Sequence, residues 1–86
     1  MLATTRLNEP ISIVAKRNGY FPKAFVWRGK RYNVRRVEKC WTITDRDLLG
    51  RARQHRFRVW TTDGSVYEMC QDLRADEWFL EKVKSI

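Results

Sequence analysis

From residue 9 to residue 83, apolar residues fall in short runs that often alternate with polar ones, and Gly, Pro, Asn or Asp separates the runs. A period of two is the mark of a strand with one buried face. Six strands are predicted: Pro10–Val14, Ala24–Trp27, Lys30–Trp41, Arg56–Thr61, Val66–Asp72 and Trp78–Val83. Pro10 suits the first residue of a strand or a sheet edge. Residues 1–8 are polar and are expected to be a flexible, irregular N-terminus ahead of a single β-domain over 9–86. Residues 16–23 hold Asn18-Gly19 and Pro22 and are predicted to turn. Residues 44–54 read as a loop with one helical turn, capped by Thr44 with Asp47 three residues on and with Leu48-Leu49 beneath.

Two hairpins stand out. Arg28-Gly29 joins the second and third strands. As a two-residue loop it sets Phe25 opposite Tyr32 and Trp27 opposite Lys30; a longer loop with Gly29 in a bulge shifts that register. Val34 and Val37 are an odd number of residues apart, so they share a face only if a bulge lies between them. Asp63-Gly64 joins the fourth and fifth strands and is the strongest hairpin signal in the chain. A two-residue loop there puts Trp60 opposite Tyr67 and Phe57 opposite Cys70.

These elements predict an all-β fold: a small antiparallel meander, strongly coiled or curled into an open barrel of five to six strands. Curling protects the sheet edges and encloses the aromatics. The expected core is Ile11, Ile13, Phe25, Trp27, Tyr32, Val34, Val37, Trp41, Phe57, Val59, Val66, Met69, Cys70, Leu80 and Val83. An 86-residue chain buries only about 60–65% of its unfolded surface, so its four Trp, four Phe and three Tyr matter greatly.

Charge changes the picture next. Eighteen Lys and Arg against ten Asp and Glu give +8, with a pI near 10.1. Such a chain attracts polyanions: nucleic acid, an anionic membrane surface or an acidic protein. No run approaches the ~20 apolar residues of a membrane helix, and the first residues have no secretory pattern, so a cytoplasmic protein without a membrane partner is expected. Cys40 and Cys70 both lie in predicted strands and are expected to be free, buried thiols; a disulfide requires their strands to lie side by side. With His55 they lack the spacing and the fourth ligand of a zinc site. The sequence calls for no cofactor and no metal.

Several of these residues also resemble a family. Glu9-Pro10-Ile11 opens the resemblance. The box Phe25-Val26-Trp27-Arg28-Gly29-Lys30-Arg31-Tyr32, the downstream Trp41, and Tyr67-Glu68-Met69 followed by Trp78, Leu80, Lys82 and Val83 continue it. Together they resemble a family of short bacterial proteins known only as a domain of unknown function, over about residues 9–83. The resemblance carries over no functional residue. It implies an association with error-prone, mutagenic-repair DNA polymerases, and so DNA, or a repair or polymerase-associated protein, as a partner.

Three functions are weighed. In the first, nucleic acid lies on an Arg/aromatic surface. Arg56, Arg58, Trp60 and Tyr67 would share the outer face of the second hairpin, with Arg28, Lys30, Arg31, Arg35 and Arg36 extending the positive surface. Rings stack bases and guanidiniums take phosphates. The alternative for Trp60 and Tyr67 is plain packing, with Arg stems covering the rings. The second function is a protein-interaction module that docks an acidic or extended segment. The third, an enzyme, finds no support in nucleophile, carboxylate-pair or glycine-loop patterns, and a non-enzymatic domain is expected.

Overall fold

The computed structural model describes residues 3–45 and 51–85. Its six strands are β1 (Ala3–Arg17), β2 (Phe21–Trp27), β3 (Lys30–Asp45), β4 (Arg51–Thr61), β5 (Val66–Asp72) and β6 (Glu77–Ser85). Each pairs antiparallel with its sequence neighbour, and β1 pairs with β6, so the meander closes into a barrel. Closure leaves no free sheet edge at β6, which explains how so small a core is shielded.

Two long strands make closure work. The first part of β1 pairs with β6 from Ala3↔Ser85 to Ile11↔Trp78, and its second part pairs with β2 from Ser12↔Val26 to Arg17↔Phe21. Likewise β3 pairs with β2 only from Lys30 to Asn33, then with β4 from Val34 to Asp45. Register shifts fall between Val34 and Arg36 and again between Val37 and Lys39. The bulge expected between Val34 and Val37 is therefore present, and it coils the strand as bulges do.

The Arg28-Gly29 loop has two residues. Phe25 faces Tyr32, and both loop residues have positive φ, 52° and 75°. Glycine adopts that conformation freely; Arg28 does so at a cost. The second hairpin differs from expectation. Thr61 N–H donates to the Ser65 carbonyl, Gly64 N–H donates to the Thr61 carbonyl, and Gly64 has φ 88°. This is a three-residue loop, a turn followed by a left-handed glycine. One extra loop residue slips the register by one, so Val59 faces Tyr67 and Trp60 faces Val66. A slip of one residue turns every side chain of a strand to the other face. Tyr67 is therefore inside the barrel.

The interior holds Ile11, Phe25, Phe57, Val59, Tyr67, Met69, Trp78 and Leu80, with Leu7, Ile13, Tyr20, Phe21, Trp27, Tyr32, Val34, Val37 and Val83 packed around them. Phe25 stacks on Tyr32 at 5.2 Å between ring centres, and Tyr67 meets both rings edge-on or tilted. Toward the other end Phe57 stacks on Trp78 at 5.5 Å, with Tyr20 and Phe21 against it.

Other expectations need correction. Residues 3–8 belong to β1, with 3–6 paired to β6 and a bulge before Glu9, rather than being irregular. Thr44 and Gln54, expected in a loop, are ladder residues of β3 and β4; Asp47, Leu48 and Leu49 lie outside the described residues. Trp41 is half-buried on the outer face and is not part of the interior cluster. Val66 and Cys70 are buried, but beneath the outer side chains rather than inside the barrel. Among the described residues no helix is long and apolar enough to cross a membrane.

The interior sets the first test. Phe57 is fully buried in contact with three other rings, those of Tyr20, Phe21 and Trp78. Phe57→Ala is expected to cost about 3–5 kcal/mol in urea unfolding, a large share of a small domain's stability. A loss below about 1 kcal/mol would show that this ring does not hold the barrel together.

Candidate nucleic-acid interface

The outer face of β4 and β5 is bound up in its own contacts. Arg58 reaches Glu38 at 3.3 Å and Glu68 at 3.4 Å. Arg56 pairs with Glu81 at 2.7 Å and also donates to Gln54. Trp60 donates its indole N–H to Glu38 at 3.0 Å. Glu38 and Glu68 come from β3 and β5, which flank β4, and Glu81 of β6 reaches Arg56 across β5. Glu68 is almost entirely buried, so the charge of Arg58 serves a neighbour that needs it. Tyr67 is 3% exposed and packs edge-on or tilted against other rings of the interior. Burial pushes its hydroxyl up to about 12. The expected platform of Arg56, Arg58, Trp60 and Tyr67 therefore does not form. Its arginines are paired and its tyrosine faces inward.

The first hairpin disperses its charges too. Arg28 pairs with Glu9 at 2.6 Å and lies over the Trp27 ring at 4.7 Å. Hydrogen bonds from Arg28 and Trp27 hold the Glu9 carboxyl below its ordinary range. Lys30 sits over Tyr32 at 5.2 Å, and Arg31 donates to Asn33.

Arg35 and Arg36 behave differently, because of where β3 goes. After Asn33 the strand leaves β2 for β4. Phe21, Pro22 and Lys23 of β2 then have β1 as neighbour on one side and a gap on the other. That gap is a cleft of about 480 Å³. Its floor is apolar: Phe21, Pro22, Val34 and Val37, with Cys40. Arg17 and Lys23 form one rim. Arg35, Arg36 and Lys39, with Glu38, form the other.

Five cations thus face one carboxylate, and that carboxylate is already engaged by Trp60 and Arg58, which hold it below its ordinary range. Among the described residues none of the five cations has a carboxylate within 4.0 Å. Two of them lie over tryptophan rings instead, Arg36 over Trp60 at 5.1 Å and Lys39 over Trp41 at 5.2 Å. A second gap, where β1 leaves β6, carries Lys16 with Asp76 and Glu77 and has no such excess of positive charge.

Sequence reasoning found Arg35 and Arg36 but missed Arg17, Lys23 and Lys39, and it missed the cleft itself. Arg17 and Lys23 flank the Asn18-Gly19 turn, which is a legible signal. The departure of β3 from β2 is not legible, because it depends on the count of bulges.

The cysteines are not bonded. β4 lies between their strands, with Cys40 opposite Phe57 and Cys70 opposite Arg56. Cys40, expected to be buried, is exposed because β2 does not cover it. Burial and the nearby Glu81 carboxylate push the Cys70 thiol up to about 11. Among the described residues no cluster of three or more His, Cys, Asp or Glu is placed to hold a metal.

Two outcomes follow. A thiol reagent at neutral pH is expected to modify Cys40 rapidly and Cys70 only after denaturation; fast reaction of both thiols would contradict the burial of Cys70. Arg58→Ala is expected to lose roughly 1–3 kcal/mol in urea unfolding, by leaving a buried Glu68 carboxylate unpaired. No loss would mean that Arg58 is free for other work.

No curated protein and no solved structure matches this chain. The profile of a family described as a domain of unknown function, DUF6504, matches residues 2–85. That span takes in all six strands and both rims of the cleft, and the chain belongs to this family of unknown function.

Proposed function

We propose that this barrel binds nucleic acid, and that its contact surface is the cleft between β2 and β3 rather than the β4–β5 hairpin. The supporting observation is the group of five cations around one cleft, which meet no carboxylate among the described residues. Cations held without anionic partners in a concave site raise the local positive potential and draw in phosphate. Arg36 over Trp60 and Lys39 over Trp41 add the alternation of cation and ring that suits a nucleic-acid strand better than a peptide.

An extended acidic peptide is the competing occupant, since β2 and β3 are unpaired along the gap. Strand addition needs a regular row of backbone donors and acceptors. β3 has two bulges there, and Pro22 of β2 has no N–H. Such irregularities block strand pairing. Recognition by side chains is favoured, and phosphate is the anion that five separate cations can share. The same residues argue for binding rather than catalysis, because the cleft's single carboxylate is already held by Trp60 and Arg58.

Labelled oligonucleotides titrated at low and moderate salt test this. With about four phosphates contacted, affinity is expected to fall about fiftyfold between 50 and 200 mM salt. Arg35→Glu with Lys39→Glu is expected to weaken binding by more than tenfold, while Arg74→Glu, on the exposed β5–β6 turn, changes it little. Absence of binding at low salt, or an equal effect of Arg74→Glu, would overturn the proposal.

A further inference from the structure

We infer that the cleft takes in a nucleobase, so that the barrel selects single strands with accessible bases over duplex. This rests on the nucleic-acid reading and adds the feature of the ligand that is recognised. Charge alone does not require an apolar floor, yet the cleft has one.

The floor is part of the barrel interior that β2 fails to cover. Val34, Val37 and Cys40 of β3 pair with Thr61, Val59 and Phe57 of β4, and these three β4 residues are buried to 2% exposure or less. Their partners on β3 point the same way but meet the gap. Val34 and Val37 are half-buried and Cys40 is exposed. On the opposite wall Phe21 presents a half-buried ring. The cleft has the size of a small-molecule site.

The rims lie on either side of this floor. A strand whose phosphates run along Arg35, Arg36 and Lys39 would set its bases toward Phe21 and Val37. A stacked and paired duplex would reach the rims and leave the floor empty. A base on the floor covers apolar surface that otherwise faces water, and contact with an aromatic ring strengthens a base-containing strand over its phosphates alone.

Cys40 reports on this directly, because it lies in the floor and carries none of the charge. Three probes of equal length, roughly twelve nucleotides, separate the contributions: oligothymidylate, an abasic strand and a duplex. Oligothymidylate is expected to bind about tenfold more tightly than the abasic strand, the value of about one stacked base. It is expected to slow maleimide alkylation of Cys40, whereas the abasic strand at equal occupancy does not. A bulky maleimide adduct on Cys40 is expected to abolish the tenfold preference and leave abasic affinity unchanged. Cys40→Trp is a second route to the same block, with folding checked by near-ultraviolet circular dichroism.

Equal affinity for oligothymidylate and the abasic strand, with Cys40 equally reactive in both complexes, would overturn base capture and leave polyanion binding standing. No binding of any probe at low salt would remove the nucleic-acid reading itself.

Discussion

The register shifts in β3 govern this molecule. The sixteen residues of β3 pair with β2 over 30–33 and with β4 over 34–45, and the bulges around Val37 let the strand bend from one partner to the other. Because it bends, the meander closes, and closure seals Phe25, Phe57, Met69 and Leu80 from water. Also because it bends, β3 parts from β2 after Asn33, and a cleft opens where the two separate. Closing the barrel and opening the cleft are two results of the same coiling.

The distribution of charge follows from that geometry. Where strands run side by side, carboxylates and guanidiniums on adjacent or next-but-one strands find one another. Arg56 meets Glu81, and Arg58 meets Glu38 and Glu68. Where β2 and β3 separate, Lys23, Arg35, Arg36 and Lys39, with Arg17 of β1, face a gap and have no carboxylate within 4.0 Å among the described residues. A net charge of +8 is therefore not spread evenly in its effect. Three arginines of the hairpins, Arg28, Arg56 and Arg58, are neutralised locally, and five of the remaining cations line one cleft. Charges in such a recess act on an approaching anion more strongly than the same number scattered on a convex surface.

Much of the fold was legible in the residues. Alternation gave six strands, the two-residue reading of the Arg28-Gly29 loop gave the Phe25–Tyr32 pair, and the odd spacing of Val34 and Val37 required a bulge if the two were to share a face. The family resemblance also holds. What failed did so for local reasons. Asp63-Gly64 invites a two-residue loop, but the Thr61 and Asp63 side chains and the Ser65 backbone bond to one another and make it three. That single residue moved Tyr67 from the surface to the core and dissolved the proposed platform. Residues 3–8 read as irregular because the stretch is polar; pairing with β6, not apolar pattern, makes it part of a strand. The cleft was hidden for a third reason. A sequence shows which residues are basic, but not which of them will lack a carboxylate neighbour once six strands have closed.

On the proposed function, nucleic acid meets the cleft rather than the ion-paired hairpin. Backbone amide shifts of isotope-labelled protein, followed while a single-stranded oligonucleotide is added, test it most directly. The largest changes are expected at 21, 23 and 34–40, with little change at 56–60 and 66–70. Changes centred on the outer face of β4 and β5, or no changes at all at low salt, would contradict it.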